Sequence, residues 1–309
     1  MGYSRWDASA YSTYAETAKV TLSAARSAGL SDSAARQQVF SQNRIHANFD
    51  PKKVMIRESR DSDLNPNSVP IIIGVDVTGS MGLYAEKLAV EGLGRVIEMI
   101  IDSSPVSDPH IMVMGIGDVT SDEAPLQVSQ FESDIRIAEQ LKQIYLEGRG
   151  GGNSFESYDI PWYFAGTRTS TDCFEKRNKK GYIFTMGDEP PPPPTFTYSA
   201  SQLSSVFGSG EQHGISSKEM LELAQEKYNV FHIIVEEGSF ARRSLQTVRD
   251  SWENLLGNRV IYLRNYNYMP EVIQSVIRVA EGEDVDEVIS SWEKDDIKQA
   301  VTYAFGASR

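Results

Sequence analysis

The sequence has little cysteine, a shortage of positive charge and no long apolar run. Cys173 is the only cysteine, which excludes an internal disulfide and a thiolate metal cluster and fits a reducing compartment. Lysine and arginine number 30 against 43 aspartates and glutamates, a formal net charge of −13, so nucleic acid is not expected as a partner. The longest apolar run, Val69–Val75, is far shorter than the roughly 20 residues of a membrane-spanning helix.

The N-terminus also lacks the pattern of a secretory signal, because no cationic stretch leads into an apolar one between Met1 and Asp7. We therefore expect a cytoplasmic protein without a membrane span. A chain of 309 residues with 40% hydrophobic residues can bury one substantial core. Its oligomeric state is not encoded in any pattern that we recognise.

The first part of the chain differs in composition from the rest. Residues 1–65 contain Ser- and Ala-rich helical stretches around Tyr14–Ala28 and Asp32–Gln42, followed by a polar, turn-rich connector, Arg60–Ser68. We interpret residues 1–65 as an N-terminal helical extension and connector. Residues 66–309 then form the main domain, including the C-terminal helices.

From Val69 onward, short β-rich apolar runs alternate with longer segments of helical period. This alternation predicts an α/β fold with a doubly wound, mostly parallel, Rossmann-like sheet and helices on both faces. The predicted strands are Pro70–Val75, His110–Gly115, Gly181–Met186, Val230–Glu236 and Arg259–Leu263, with a weak edge strand at Leu126–Phe131. The predicted helices are Leu83–Asp102, Ile135–Glu147, Ser157–Gly166, Ser217–Lys227, Arg242–Leu256, Pro270–Ala280 and Asp284–Tyr303.

Doubly wound sheets bind ligands beyond the carboxyl ends of their strands, and the end of the first strand is rich in oxygen ligands. Asp76, Thr78 and Ser80 place one carboxylate and two hydroxyls on alternate residues of a glycine-bearing turn. Mg²⁺ is coordinated by about six oxygen atoms and usually keeps several waters. The turn therefore offers about half of a coordination sphere.

Two later loops offer further oxygens. The glycine-rich loop 148–156 ends in Asn153, Ser154, Phe155 and Glu156, and the third strand ends in Gly187-Asp188-Glu189. Taken alone, an aspartate after a strand is often a helix N-cap and a glycine-rich loop is often only a turn. Three such loops in order on a doubly wound pattern favour a metal site.

The turn Asp76-Val77-Thr78-Gly79-Ser80-Met81, the Gly-Gly loop before Asn153, and Asp188 at a later strand end resemble the von Willebrand factor A (VWA) domain and its metal-ion-dependent adhesion site. The resemblance covers about Val69 to Tyr268. It is closest to bacterial and phage members that carry a Gly-Gly-Gly-Asn loop and a Gly-Asp-Glu strand end.

The resemblance implies a ligand set for Mg²⁺, or for Mn²⁺ or Ca²⁺. Asp76, Thr78 and Ser80 would be the ligands of the first turn, and Asp188 the acidic residue of the later loop, one position later than the family's usual aspartate. Asn153 stands where the family usually has a threonine, and the neighbouring Ser154 could replace it. The family implies a non-enzymatic protein-binding module, in which an Asp or Glu of a partner protein completes the coordination of the ion.

Two further features leave several interpretations open. Glu156 could fill the open coordination position, cap the helix that follows it, or pair with Arg149. The run Pro190–Pro194 could be a stiff surface connector, a docking ligand or a rim that shapes the metal cleft. His232 lies inside an apolar strand and is expected to be a core histidine.

Other functions remain as alternatives. Ile71–Ser80 also resembles the first motif of haloacid dehalogenase-like phosphotransferases, but Thr78 occupies the place of the second aspartate and cannot act as its general acid. No P-loop motif is present, and the glycine-rich loop follows a helix instead of a strand. The remaining alternative is a structural interaction protein in which the metal site is vestigial.

Overall fold

The computed structural model describes residues 5–147, 154–208 and 213–305, apart from the side chain of Ser80. In this part of the chain the strands β1 to β10 are, in order, Arg57–Ser59, Ser68–Asp76, Asp108–Ile116, Leu126–Val128, Thr169–Thr171, Gly181–Gly187, Thr197–Tyr198, Ile215–Ser216, Tyr228–Val235 and Val260–Leu263. The helices α1 to α13 are, in order, Ala8–Ser27, Asp32–Arg36, Gly82–Lys87, Leu93–Ser103, Arg136–Leu141, Ile160–Arg168, Asp172–Arg177, Ala200–Phe207, Ser217–Lys227, Ser239–Leu256, Met269–Ala280, Val285–Ser290 and Asp295–Phe305.

A six-stranded sheet in the order β10-β9-β6-β2-β3-β4 forms the centre of the fold. All its neighbouring strands are parallel except β4, which pairs antiparallel with β3 at the edge. The α/β fold class predicted from the alternating pattern is confirmed. Strand β2 is buried along its whole length, because helices cover both faces of the sheet.

The core lies in two layers, one on each face of this sheet. Successive side chains of a strand point to opposite faces, so Ile71 and Ile73 belong to one apolar cluster and Ile72 to the other. The first cluster includes residues of α1, α4, α11 and α13, and the second includes residues of α6, α9 and α10. None of the helices within the described residues is both long and apolar enough to cross a membrane.

Three predicted helices are divided or shortened in the structure, and those predicted at Ser157–Gly166 and Arg242–Leu256 begin instead at Ile160 and Ser239. The helix expected at Leu83–Asp102 is divided into α3, a π-helical turn at Leu88–Gly92, and α4. The one expected at Ile135–Glu147 ends at Leu141, because the backbone of Tyr145 exchanges two 2.8 Å hydrogen bonds with the side chain of Gln127 in the edge strand β4. The final helix is interrupted before Asp295, where the Trp292 indole N–H donates to Ser275 Oγ of α11.

Helix α1 is packed on the π-helical turn Leu88–Gly92 and on α4. The Tyr11 hydroxyl donates to the carbonyl of Ala89 in the π-helical turn, at 3.2 Å. The ring of Tyr11 lies directly over Gly94, where a Cβ atom would be 2.0 Å from Tyr11 Cε1. Only glycine at position 94 allows this close approach of the two helices. The division of the chain at residue 65 stays a prediction.

We expect Gly94→Ala to destabilise the fold when residue 11 is tyrosine and to stabilise it when residue 11 is alanine. In the wild-type background the added methyl group overlaps the Tyr11 ring and destabilises the fold by about 1–3 kcal/mol. In a Tyr11→Ala background the overlap is gone, and the better helix propensity of alanine should stabilise α4 by up to about 1 kcal/mol. Urea denaturation of the four proteins measures the coupling; additive effects would contradict the packing of α1 on α4.

The connector before β2 is fastened to the segment after α6. Strand β1 pairs in parallel with β5, and Arg60 then reaches Asp172 at the start of α7, with 2.9 Å between Nη1 and Oδ1. Lys176 and the backbone N–H of Asp61 contact the other carboxylate oxygen at 2.7 and 2.9 Å. Burial alone would raise the pKa of Asp172, but these donors outweigh it and lower the pKa to about 2.

Asp172→Asn is expected to lower stability at neutral pH but not in strong acid. Because the pKa of Asp172 falls from 3.8 to about 2 on folding, its contribution is full above pH 4 and is lost as the pH falls through 2. We expect a loss of about 1–2 kcal/mol at pH 7, since solvent screens the exposed partner Lys176. Thermal melts from pH 2 to pH 7 test this, with the exposed Asp63→Asn as control; a pH-independent difference would contradict it.

Candidate metal centre

Two of the predicted ligands, Asp76 and Asp188, lie where the winding of the sheet changes direction. Asp76 is the last residue of β2, and Asp188 directly follows β6, the neighbouring strand. From β2 the chain continues through α3 and α4 to β3 on one side, while β6 lies on the other side. Such switch points open a crevice between the carboxyl ends of adjacent strands. The structure thus brings Asp76 and Asp188 to one edge of the sheet.

The Asp76 carboxylate organises the turn that follows it. Thr78 donates to Asp76 Oδ1 twice, from its backbone N–H at 2.8 Å and from its hydroxyl at 2.6 Å. Gly79 has a φ of +39°, a left-handed conformation that glycine adopts at little cost. The 2.6 Å between the two side-chain oxygens is the distance of a strong hydrogen bond to a carboxylate.

Tyr158 holds the other oxygen of Asp76. Its hydroxyl donates to Asp76 Oδ2 at 2.8 Å and accepts from the backbone N–H of Glu189 at 3.3 Å. A Cβ atom on Gly187 would lie 2.0 Å from this hydroxyl, so glycine is required there. Sequence reasoning missed Tyr158, because a tyrosine in an apolar helical segment has the same appearance as a core residue.

Glu156 reaches the same turn from the loop before α6. Its Oε1 lies 3.4 Å from the Thr78 hydroxyl. Its Oε2 is buried and has no hydrogen-bond partner among the described residues. Helix α6 starts only at Ile160, with Asp159 at its N-cap position, so Glu156 does not cap it. Arg149 lies outside the described residues. The structure thus excludes the capping role and places the Glu156 carboxylate beside the Asp76 turn; the other two interpretations stay predictions.

Asp188 is oriented by the first turn of α10. Its Oδ2 accepts from the backbone N–H of Phe240 at 2.7 Å. Gly238 allows this contact, since a Cβ atom there would lie 2.2 Å from the Cβ of Asp188. The positive end of the helix dipole stabilises the carboxylate. Asp188 therefore borders the crevice with at least one oxygen committed to α10.

Two predicted ligands, Ser80 and Asn153, lie partly or wholly outside the described part of the chain. Ser80 belongs to the 3₁₀ turn Gly79–Met81, but its side chain lies outside the described part of the chain. Asn153 lies outside the described residues altogether. Its neighbour Ser154 is exposed.

Buried carboxyl groups that lie close together, so that each disfavours ionisation of the others, are the main electrostatic feature of the crevice. Burial raises the pKa of Asp76 above its ordinary value although Thr78 and Tyr158 donate to it, and Asp188 adds to the rise. Burial and the nearby Asp76 together raise the pKa of Glu156 well above its usual range. The pKa of Glu189 is raised to about 7, first by burial and then by the charges of Asp76 and Asp188. A cation in the crevice would remove this repulsion.

The donor set fits a hard divalent cation held by few protein ligands. Among the described residues, no group of three or more His, Cys, Asp or Glu side chains is placed to hold a metal ion, which excludes a closed carboxylate cage in that part of the chain. Asp76 and Thr78 offer converging oxygens, and Glu156 Oε2 is a buried oxygen atom without a partner there. Carboxylate, hydroxyl and water ligands suit Mg²⁺ or Mn²⁺.

His232 of β9 lies behind the crevice and is fully buried, as expected for a core histidine. Thr185 Oγ1 is 2.9 Å from its Nδ1, and the Trp252 indole stacks on its ring. Burial lowers the pKa of His232 well below its ordinary value, so the ring is neutral. The same Trp252 donates its indole N–H to the carbonyl of Glu189 at 3.0 Å and so supports the acidic strand end.

Three solved structures have a partly similar course of the backbone. The pilus adhesin SpaC from Lactobacillus rhamnosus GG has 9% sequence identity and a TM-score of 0.45, and the match covers 75% of this chain and 32% of that chain. Proximal thread matrix protein 1 from the mussel byssus has 12% identity and a TM-score of 0.42, with 69% of this chain and 48% of that chain covered. A von Willebrand factor type A protein from Catenulispora acidiphila has 14% identity and a TM-score of 0.36, with 71% of this chain and 44% of that chain covered. The chain spans less than half of each. At these TM-scores the similarities carry no functional information. No protein-family model and no curated protein sequence matches the chain.

Proposed function

We propose that the protein is a VWA-like binding module with a metal-ion-dependent adhesion site. A divalent cation, Mg²⁺ in the first instance, is held by Asp76 and Thr78 together with Ser80 and Asn153, and Asp188 contributes directly or through water. An Asp or Glu of a partner protein completes the coordination. When bound, the ion supplies a Lewis-acidic bridge between two carboxylates of different chains.

The observation that carries this proposal is the unsatisfied acidic crevice at the switch point of the sheet. The carboxylates of Asp76 and Glu156 are almost fully buried, at 1% and 2% exposure, and one oxygen of Glu156 has no partner among the described residues. Burying like charges without a counter-ion is costly. An arrangement of this kind is typical of a cation site.

The ligands that this chain supplies would leave the ion attractive to an external carboxylate. Thr78 offers a neutral hydroxyl, and Asp188 already accepts a hydrogen bond from α10. With one or two anionic protein ligands, a divalent ion keeps part of its positive charge or is just neutralised. Tyr158 and the first turn of α10 hold Asp76 and Asp188 in place, so the site needs little reorganisation to bind.

Manganese provides the test of the metal centre, since it scatters anomalously. In crystals soaked in MnCl₂ we expect one anomalous peak in the crevice, within coordination distance of Asp76 and Thr78. A peak elsewhere, or none, would overturn the proposal. Partner binding is then tested by affinity capture with Mg²⁺ and with EDTA, on the wild type and on Asp76→Ala. A partner retained equally in all cases would support the alternative of a vestigial metal site.

The absence of enzymatic activity stays a prediction. An assay with a generic aryl phosphate separates the binding module from the phosphotransferase alternative. We expect wild-type turnover to equal that of an Asp76→Asn control. Turnover that depends on Asp76 would favour the phosphotransferase.

A further inference from the structure

An apolar groove of about 620 Å³ adjoins the acidic crevice. Its walls are formed by Phe155, the run Pro190–Pro194, Phe240 and Leu255, and its rim by polar residues of α10 and the start of α9. The volume lies within the range of about 300–1,000 Å³ that is usual for ligand-binding clefts. A mainly apolar groove of this size beside an acidic site is not explained by metal binding alone.

The groove and the crevice are built from the same chain segments. Phe155 precedes Glu156, and Pro190 follows Glu189. Phe240 donates its backbone N–H to Asp188. Phe155, Pro190 and Phe240 are thus each adjacent in sequence, or hydrogen-bonded, to an acidic residue of the crevice. The groove therefore lies next to the crevice, with which it shares the chain segments 155–156 and 189–190.

The proline run is fixed in place and is not a loose connector. Pro190 and Pro192 are buried, whereas Pro193 is exposed. The carbonyl of Pro190 accepts from the N–H of Glu156 at 3.3 Å, and the carbonyl of Pro193 accepts from the N–H of Phe196 at 2.7 Å. The Phe196 ring in turn packs 5.3 Å from that of Phe155. The groove is consequently preformed, which reduces the entropic cost of binding.

The rim supplies the polar groups that the prolines lack. Prolines have no backbone N–H, so the proline wall of the groove can bind a ligand only by apolar contact and through its carbonyl acceptors. Along α10, Thr247, Ser251 and Asn254 line the groove on one helical face. Their hydroxyl and amide groups can bind the backbone of an extended peptide. Lys218, near the start of α9, adds a positive charge to the groove.

We propose that this groove is the second half of the partner site, an inference that rests on the proposed function. It takes one large aliphatic or aromatic side chain of an extended partner segment, within about four residues of the acidic residue that completes the metal centre. The spacing follows because an extended chain advances about 3.3 Å per residue and the groove begins one residue from Glu156 and Glu189. The partner is therefore a peptide segment that combines an acidic and a large apolar residue.

The test uses a phage-displayed library of random 12-residue peptides, selected on the full chain in Mg²⁺. On the wild type we expect enrichment of an Asp or Glu with a large apolar residue at a fixed spacing. Thr247→Trp fills the groove from an exposed position without touching a carboxylate, and Gln246→Trp is the matched control outside the groove. On Thr247→Trp the apolar preference should disappear while the acidic preference and Mg²⁺ binding persist.

A synthetic peptide of the selected consensus then gives the magnitude by fluorescence anisotropy. We expect at least about 10-fold weaker binding to Thr247→Trp, an unchanged affinity for Gln246→Trp, and loss of binding in EDTA. An acidic consensus without a fixed apolar position would overturn this inference and leave the proposed function intact. Apolar or proline-rich peptides that bind equally in EDTA would contradict the proposed function, and no enrichment at all would count against both.

Discussion

Asp76→Ala is expected to abolish measurable Mg²⁺ and Mn²⁺ binding, with an affinity at least about 100-fold weaker than that of the wild type. Asp76 is the one carboxylate that both fixes the turn, through the N–H and hydroxyl of Thr78, and contacts Tyr158. Removing it takes away the proposed anionic ligand and also releases the Thr78 hydroxyl. Isothermal titration calorimetry measures the change directly.

Variants of closely similar shape separate the loss of a ligand from a loss of folding. Asp76→Asn preserves the volume and an acceptor for the Thr78 N–H but lacks the charge, so it should fold and still not bind. Thr78→Ser keeps the hydroxyl and should bind, whereas Thr78→Val removes it and should bind weakly. Equal heats for the wild type and for both Asp76 variants would eliminate the metal centre.

Glu156→Gln is expected to stabilise the metal-free protein and to reduce its response to Mg²⁺. The Glu156 carboxyl is buried, close to Asp76, and has one oxygen without a partner among the described residues. A neutral amide of the same shape avoids the cost of confining this group. We expect a gain of about 1–3 kcal/mol in EDTA at pH 7, which raises the melting temperature by several degrees.

The pH dependence gives the sign of this effect. The pKa of Glu156 rises from 4.5 on folding because of burial and the charge of Asp76. A raised carboxyl pKa makes folding take up a proton, and its destabilising effect grows as the pH rises above 4.5. The advantage of Glu156→Gln in EDTA should therefore shrink toward acid pH.

In saturating Mg²⁺ the melting temperature of Glu156→Gln should no longer exceed that of the wild type. The wild type gains stability from the bound ion by mass action, and Glu156→Gln gains less if Glu156 contributes to the field of the site. The exposed Glu222→Gln serves as the control and should follow the wild type in both conditions. A lower melting temperature for Glu156→Gln in EDTA would show that the carboxylate is stabilising without metal, against our interpretation of the crevice.

Much of the fold follows from local patterns in the sequence. Runs such as Ile71–Val75 are β-rich and apolar on both faces, and this predicts central parallel strands because no other environment buries both faces. The same reasoning places Asp76 and Asp188 at one edge of the sheet, since parallel strands end on the same side. Local patterns fail to predict the end of α5 at Leu141, because the backbone of Tyr145 forms hydrogen bonds with the side chain of Gln127 in an edge strand instead of continuing the helix.

The sequence by itself determined the class of the fold, the edge of the sheet at which Asp76 and Asp188 meet, and the oxygen-bearing turn after β2, because these depend on periodicity and on residues close together in the chain. The tertiary structure alone decided the partners of that turn. Tyr158 and Glu156 are distant from Asp76 in sequence, and only the packing of α6 against the sheet brings them to it. The contact of Asp188 with α10 and the groove beside the proline run likewise arise from segments that meet only on folding.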